Sequence, residues 1–342
     1  MKYNFLGDTG VLVSELCFGT MTFGGHGFWK PIGQQQQEEA NQLIKKSFDS
    51  GINFYDTANV YSEGVSEKIL GQSVKDLGLK RQDMFIATKL RGRMGEGANQ
   101  VGLSKLHIHY AVDDSLKRLD MDHIDLLYIH GVDHYTPLEE TMRGLEDVVK
   151  AGKVRYLGVS NHAAWQIMKA NLYAEGQGWS RFEACQHYYS IASRDIEREL
   201  IPMMADQNLG LMPWSPLSGG YLTGKFSGKG DADKESRRAE FDFPPIDKDK
   251  ADKIVEVMRG IAKDKNVSIA QIALAWLLHQ EAVTSVIIGA RKMKQLEDNI
   301  ASTEVELTEE DLEKLDEVSA LTAEYPGWMM EFQKQGRIPE EE

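Results

Sequence analysis

The chain has 342 residues, of which 42% are apolar, and it carries a formal net charge of −14. This apolar content is sufficient for a large buried core and excludes a disordered protein. The negative charge argues against a general nucleic-acid-binding surface, so a phosphate-bearing ligand would need a local group of basic residues. No secretory leader and no apolar run of about 20 residues is visible, so we expect a cytoplasmic protein with no membrane partner. Its two cysteines, Cys17 and Cys185, are expected to be reduced.

Short apolar strands alternate with amphipathic helical segments along the whole chain. Most of the strands are continuous runs of Ile, Val, Leu, Phe and Tyr, which is typical of parallel strands covered on both faces. Eight are predicted, at residues 16–19, 52–55, 84–88, 124–129, 154–159, 182–185, 209–214 and 285–288. This number of strands predicts a single (β/α)8 TIM barrel domain over residues 1–342. A doubly wound sheet is the alternative, but it normally has fewer strands and a glycine fingerprint after the first one.

Two further segments add to the barrel. Residues 1–13 contain Gly-Asp-Thr-Gly at positions 7–10 between short apolar pieces, which predicts an N-terminal β-hairpin. Residues 227–250 are charged and form a long insertion after strand 7. Insertions of this length are more often functional than structural filler.

One predicted helix has signals for both of its ends. Its buried face is expected to contain Leu138, Met142, Leu145 and Val149. Thr136 and Glu139 are expected to form a capping box around Pro137, and Gly152 follows the end of the helix.

Polar side chains follow three neighbouring strands, where the C-terminal strand ends of a barrel form its active-site rim. Asp56, Lys89 and His130 each come directly after an apolar run, and Tyr61 lies shortly after Asp56. A tyrosine, with a reference pKa of about 10, is a useful acid only beside a group that stabilises its phenolate, such as a lysine ammonium. We therefore expect Tyr61 to be a general acid for a carbonyl oxygen, with Lys89 lowering its pKa and Asp56 orienting Lys89. His130 is expected to orient the carbonyl or to help relay the proton. A hydrolase with paired carboxylates is a weaker alternative, because only one acid lies clearly at a strand end.

Two longer motifs resemble the signatures of a known family. Residues 51–71 contain Gly-x-Asn-x-x-Asp-Thr-Ala followed by Tyr61, and residues 142–161 end in Gly-Lys-Val-Arg-Tyr-Leu-Gly-Val-Ser-Asn. They resemble those of the aldo-keto reductases, in the branch of bacterial general-stress reductases and potassium-channel β-subunits, and the resemblance covers essentially the whole chain. It implies a (β/α)8 barrel that binds a nicotinamide cofactor, usually the 2′-phosphorylated form. It also matches the four residues named above to the family's catalytic tetrad.

The resemblance makes NADP(H) the expected cofactor, with NAD(H) as the alternative. Gly289 and Gln295 stand where basic residues of the family often bind the 2′-phosphate, so Arg291 is expected to replace that contact, with Arg237 or Arg238 reaching over from the insertion. Other groups suit the nicotinamide, its carboxamide, the pyrophosphate and the adenosine. The expected cofactor-binding residues are Gly19, Thr20, Met21, Ser160, Asn161, Gln186, Trp214, Ser215, Pro216, Leu217, Gly219, Lys225, Arg237, Gly289, Arg291, Gln295, Asp298 and Asn299.

A second phosphate-binding motif is rejected. The run from Gly219 to Lys225 matches the G-x-x-x-x-G-K of a P-loop, but Phe226 replaces the required Ser or Thr and a charged loop follows where a helix is needed. The histidines show no metal-binding spacing, so no metal site is expected.

The sequence therefore predicts NADPH-dependent reduction of a small-molecule aldehyde or ketone to an alcohol. The alternative is an NADPH-binding regulatory or sensor subunit with slow or no turnover. Met21, Phe23, Trp29 and Trp328 are expected to line the substrate mouth. The pattern indicates neither a particular carbonyl compound nor an oligomeric state.

Overall fold

The computed structural model describes residues 1–226, 238 and 241–334, and its central feature is one parallel sheet. The sheet contains β3 (Leu16–Gly19), β4 (Phe54–Asp56), β5 (Phe85–Leu90), β6 (Ile124–Ile129), β7 (Val154–Ser160), β8 (Phe182–Tyr188), β9 (Gly210–Trp214) and β10 (Val286–Ile288). The spatial order is β10-β3-β4-β5-β6-β7-β8-β9, with parallel pairing at each step. The two ends of the sheet meet where the amides of Thr284 and Ser285 donate to the Leu211 carbonyl, at 2.9 and 3.3 Å. The predicted (β/α)8 barrel is confirmed.

Helices cover the outside of the barrel, and all the described helices except the last, Gly327–Lys334, bury apolar residues. They are α1 (Gln37–Asp49), α2 (Val65–Asp76), α3 (Lys105–Leu119), α4 (Leu138–Lys150), α5 (Ala164–Gln177), α6 (Leu200–Gln207), α7 (Lys248–Lys265), α8 (Ile269–Leu278), α9 (Met293–Ala301), α10 (Glu309–Ser319) and α11 (Gly327–Lys334). None of the helices in the described ranges is both long and apolar enough to cross a lipid bilayer.

Helix α4 has the predicted buried face but a different beginning. Met142 and Leu145 are fully buried, as the spacing predicts. The expected capping box is wrong, because Pro137 occupies the N-cap position and no side chain caps the helix. The Thr136 hydroxyl instead donates to Oδ2 of Asp133 at 2.7 Å.

The N-terminal end of the barrel is closed by the predicted hairpin. Strands β1 (Tyr3–Phe5) and β2 (Leu12–Ser14) pair antiparallel, and Leu6 and Val13 are buried against interior residues such as Cys17. Gly7 makes the turn with a φ of 54°, and a Cβ there would lie 2.4 Å from the carbonyl oxygen of Glu183. Only glycine fits so close a backbone contact. The opposite, C-terminal end of the barrel is therefore the end available for an active site.

The long connection after the seventh barrel strand, β9, is described in part. A 3-10 stretch (Ser218–Thr223) follows β9, and α7 begins only at Lys248. Arg237, one of the predicted cofactor contacts, lies outside the described residues. Arg238 is described and its side chain is buried.

Candidate active site

The end of β4 and the turn after it position two of the predicted catalytic residues. Asp56 is the last residue of β4, and the Tyr61 amide donates to the Ala58 carbonyl at 3.1 Å to close a tight turn. Ser62 has a left-handed φ of 48°, and its hydroxyl donates to the Phe23 carbonyl at 2.8 Å. This hydrogen bond ties the strained backbone beside Tyr61 to the loop after β3.

The Lys89 ammonium lies at the centre of the site and is completely buried. Strand β5 places Nζ 2.5 Å from Oδ2 of Asp56, 2.7 Å from the Thr57 carbonyl oxygen and 3.3 Å from Oη of Tyr61. The ammonium also lies 4.8 Å from the centre of the Tyr61 ring. A lysine has three N–H donors, so each one has an oxygen partner. A buried charge is tolerated only when it is paired and hydrogen-bonded in this way.

The Asp56 carboxylate is held from a second side by Gln186 on β8. Nε2 of Gln186 donates to Oδ1 of Asp56 at 3.0 Å, while Lys89 occupies Oδ2. Gln186 was predicted from the sequence as a ligand of the carboxamide. In the structure its amide nitrogen already donates to the Asp56 carboxylate.

The pKa values show opposite charge states for the two basic side chains of the site. Burial works to lower the pKa of Lys89, but the negative charge of Asp56 and the adjoining Tyr61 outweigh it and raise that pKa above its ordinary value. Burial lowers the pKa of His130 to about 3, and the positive charges of Lys89 and Arg91 act in the same direction. At neutral pH the lysine is therefore an ammonium and the histidine a neutral imidazole.

Two aromatic groups flank Tyr61 at the rim. The ring of His130, which follows β6, lies 5.9 Å from that of Tyr61 at an angle of 76°. The Trp29 indole lies 4.9 Å from the Tyr61 ring at 65°, so this predicted mouth residue is adjacent to the acid. Phe23, in contrast, is fully buried, and Trp328 lies on α11 against Tyr325.

The predicted nicotinamide platform is part of an aromatic stack. Trp214 ends β9, and its ring lies 4.9 Å from that of Tyr188 and 5.9 Å from that of Phe243, nearly parallel to both. Its Nε1 donates to Oδ1 of Asn161 at 3.1 Å, and Nδ2 of Asn161 donates to the His130 carbonyl at 3.3 Å. Asn161 thus links the platform to the catalytic rim.

The loop after β9, which was predicted to contact the pyrophosphate, is a tight turn with left-handed backbone. Ser215, Ser218, Gly219 and Gly220 all have positive φ angles, and the Gly219 amide donates to Oγ of Ser215 at 3.0 Å. The buried Arg238 guanidinium donates to the carbonyls of Ser218 at 2.6 Å and of Pro244 at 2.8 Å. A cation from the insertion therefore fixes the shape of this loop.

The residues predicted for the adenosine end lie together after β10, and several of them bind one another. Oε1 of Gln295 accepts from the amide of Arg291 at 2.8 Å, at the start of α9. The Arg291 guanidinium donates to the carbonyls of Ile32 at 3.0 Å and of Pro31 at 2.5 Å. Nδ2 of Asn299 donates to the Gly289 carbonyl at 3.2 Å.

Asp298, also predicted for the adenosine end, lies between two helices. Its carboxylate accepts from the Ser268 hydroxyl at 2.8 Å and from the Gln271 amide group at 2.9 Å, at the start of α8. Because each carboxylate oxygen already has a partner, Asp298 contributes to helix packing as the structure stands.

The remaining predicted contacts lie along the same rim. Thr20 is buried, and its hydroxyl lies 2.8 Å from that of Ser66. Ser160 is buried at the end of β7, and its hydroxyl accepts from Asn161 at 2.9 Å. Gly19, Met21, Pro216, Leu217 and Lys225 complete the set; of these only Lys225 is exposed. In residues 1–226, 238 and 241–334, no three His, Cys, Asp or Glu side chains are grouped to hold a metal ion.

Three groups at the site were not found from the sequence. The Thr57 carbonyl binds Lys89, the Ser62 hydroxyl fixes the turn of Tyr61, and Ser218 bonds to both Tyr188 and Arg238. Of these three, only the turn that contains Ser62 has a local sequence signal, because Gly64 favours left-handed backbone. The other contacts depend on residues distant in the chain.

The barrel, the strand-end tetrad and the loop after β9 together define an oxidoreductase of the aldo/keto reductase type, and comparison with known proteins agrees. The model of the aldo/keto reductase family matches residues 15–320, and the chain belongs to this family.

Three curated relatives cover nearly the whole chain. A versiconal hemiacetal acetate reductase of Aspergillus parasiticus is 34% identical and covers 96% of this chain and 99% of its own length. An uncharacterized oxidoreductase of Bacillus subtilis is 35% identical, with coverage of 93% and 96%. A probable voltage-gated potassium channel subunit beta of Oryza sativa subsp. japonica is 38% identical, also with coverage of 93% and 96%. The last two correspond to the branch expected from the sequence motifs.

Proposed function

We propose that this chain reduces an aldehyde or ketone to an alcohol with NADPH, and that Tyr61 is the general acid. The observation that supports this most directly is the buried Lys89 ammonium, 3.3 Å from Oη of Tyr61 and 2.5 Å from Oδ2 of Asp56. When bound, the cofactor supplies a hydride to the carbonyl carbon. Negative charge then builds on the carbonyl oxygen, and a donor aimed at that oxygen stabilises the transition state more than the ground state.

Each residue of the tetrad has a distinct role in this proposal. Tyr61 gives its hydroxyl proton to the carbonyl oxygen, and the Lys89 ammonium stabilises the phenolate that remains. Asp56 keeps Lys89 charged and oriented. His130 is neutral, so it orients the carbonyl through an N–H donor without adding charge. Trp29 packs edge-on against Tyr61 and covers part of its ring.

The residues of the rim fit a nicotinamide dinucleotide. A Cβ at Gly219 would lie 2.5 Å from the Phe243 carbonyl oxygen, whereas one at Gly289 meets nothing within 4 Å. The loop after β9 is thus a close-packed glycine turn, and the end of β10 opens onto free space. Asn161 offers amide chemistry for the carboxamide and Trp214 an indole for the ring. Arg291 and Lys292 bring two cations to the start of α9, which favours a 2′-phosphate.

We also propose that the protein acts in the cytoplasm as a single domain. Cys17 and Cys185 are both buried and unpaired, which suits a reducing compartment.

A spectrophotometric assay tests the proposed function. Purified protein is mixed with NADPH or NADH and a panel of aromatic and aliphatic aldehydes, and the absorbance of the reduced nicotinamide is followed. We expect oxidation that depends on the aldehyde and is faster with NADPH. Tight NADPH binding without turnover on any carbonyl would contradict a reductase and favour a sensor. Equal use of both cofactors would contradict the NADPH preference alone.

A further inference from the structure

Arg91 is a charged residue at the rim that the proposed mechanism does not use. It follows β5 directly, two residues beyond Lys89, and its φ of 130° departs from ordinary strand geometry. Its side chain is exposed and crosses to the loop after β6, where Nε and Nη2 donate to the Val132 carbonyl at 3.2 and 3.0 Å. Val132 lies two residues beyond His130. The guanidinium is therefore held at the mouth of the site, next to the proposed carbonyl-orienting residue.

The Arg91 guanidinium has hydrogen-bonding capacity to spare. A guanidinium has five N–H donors, and the Val132 carbonyl takes two of them. Among the described residues, the remaining donors have no hydrogen-bond partner and no carboxylate approaches within 4.0 Å. The nearby acid Asp133 is engaged elsewhere, because its oxygens accept from the amides of Leu103 and Tyr135 and from the Thr136 hydroxyl.

The side chains around Arg91 do not neutralise it. Burial lowers the pKa of both His130 and His162, and the charge of Arg91 adds to the shift in each case. Both imidazoles are therefore neutral at pH 7. The rim of a strongly acidic protein thus holds a positive charge whose local partners are a carbonyl and two neutral rings.

We propose that Arg91 determines substrate specificity by binding a carboxylate of the carbonyl substrate. The preferred substrates are then aldehydes or ketones that carry a carboxylate near the carbonyl. A guanidinium binds a carboxylate through two parallel N–H donors, and this geometry would orient the substrate over Tyr61 and His130. The inference rests on the proposed reductase function, because it concerns the substrate of the same site.

Matched substrates test the proposal. The three isomers of carboxybenzaldehyde are compared with their methyl esters, which have the same carbonyl and ring but no charge. A hydrogen bond to a charged group changes binding by about tenfold or more. For at least one isomer we therefore expect a kcat/KM for the acid about tenfold above that for the ester, with the difference mainly in KM.

Substitutions at two positions of one loop locate the effect. Arg91→Gln should lower the acid-to-ester ratio about tenfold, and Arg91→Lys should recover part of it. Arg93→Gln is the matched control, because Arg93 is exposed and, among the described residues, donates only to the carbonyls of Gly95 and Gly97. It removes the same charge two residues away and should leave the ratio unchanged. Circular dichroism and the Tm establish that each variant is folded.

The outcomes separate this inference from the proposed function. No turnover by the wild-type protein of the acids, the esters and every other aldehyde of the panel would overturn the reductase function, and the inference with it; turnover of other aldehydes but of no acid would overturn the inference alone. Turnover with acid and ester equal, or a ratio unaffected by Arg91→Gln, would overturn the inference and leave the function standing. Equal losses in Arg91→Gln and Arg93→Gln would show a general charge effect in place of a binding contact, and would also overturn it.

Discussion

Gln186 donates to Oδ1 of Asp56 at 3.0 Å, although the two residues are 130 positions apart in the chain. Lys89 occupies the other oxygen of the same carboxylate. The carboxylate is therefore held by side chains from two different strands of the barrel, and its orientation determines where the Lys89 ammonium points. The Lys89 ammonium is positioned by β8 as well as by its direct partner on β4.

Gln186→Leu should reduce both stability and turnover. It leaves a buried carboxylate oxygen without a donor, which costs about 1–3 kcal/mol of unfolding free energy. Urea unfolding and kcat are the measurements. Gln186→Glu keeps the size but puts an acceptor where the donor was, so it should be the more destabilising of the two. Equal stability of Gln186→Leu and the wild type would show that this hydrogen bond does not hold Asp56.

Lys89→Met should abolish turnover and destabilise the fold by about 3–5 kcal/mol, because it leaves Asp56 buried without its counter-ion. Adding Asp56→Asn removes the unpaired charge, so the double variant should regain much of the stability but none of the activity. Urea unfolding and carbonyl reduction are measured for the singles and the double. A double variant as unstable as the sum of the two singles would contradict this account of the pair.

The sequence was sufficient for the barrel because its strands are covered on both faces and therefore appear as apolar runs. The residues at which the strands end were predicted less accurately. The sixth predicted strand, residues 182–185, in fact continues to Tyr188, because the polar residues Gln186 and His187 still pair with β9. Hydrophobic periodicity alone does not show that a strand continues through polar residues.

The sequence could bring Asp56, Lys89 and His130 together because each lies at or just after the end of a barrel strand, whereas most of the hydrogen bonds around them could not be predicted. The capping box of α4 failed because Asp133 competes for the Thr136 hydroxyl. The carbonyls of Pro31 and Ile32 bind Arg291 across about 260 residues, with no local signal in either segment. The first is a local side-chain hydrogen bond that competes with capping, and the second is a tertiary contact.

The protein should lose stability as the pH falls below about 6.5, partly because of His130. An unfolded histidine has a pKa of about 6.5, while His130 in the fold has a pKa of about 3. Between these values the unfolded chain binds more protons, so the stability conferred by neutral His130 is present above the upper value and declines toward the lower one. Buried His187, with a pKa also of about 3, acts in the same direction.

Thermal unfolding of wild-type protein and His130→Gln from neutral pH down to about pH 5 measures this contribution. The variant should show a shallower decline of Tm with falling pH, and His187→Gln should show a similar change. Parallel curves for wild type and His130→Gln would mean that His130 is not held neutral by the fold.

Two adjacent glycines separate backbone strain from steric contact in the loop after β9. Gly219 has a φ of 67° and its Cβ would lie 2.5 Å from the Phe243 carbonyl oxygen, whereas Gly220 has a φ of 94° and open space around it. Gly220→Ala should cost about 1–3 kcal/mol of backbone strain alone. Gly219→Ala adds the clash with the Phe243 carbonyl to this strain. It should therefore weaken NADPH binding roughly tenfold more than Gly220→Ala does. Fluorescence titration measures the affinity of both variants for NADPH. Equal affinities of the two variants would show that the Phe243 contact does not shape the loop.

We expect Tyr61 to give the proton to the carbonyl oxygen, and Tyr61→Phe removes this donor alone. The substitution removes only the hydroxyl, 3.3 Å from the Lys89 ammonium, and leaves the ring between Trp29 and His130. In a single-turnover experiment with bound NADPH and a reducible aldehyde, we predict that the rate falls by about 100-fold or more while the Kd for NADPH stays near the wild-type value. A wild-type rate of carbonyl reduction by Tyr61→Phe would contradict the account.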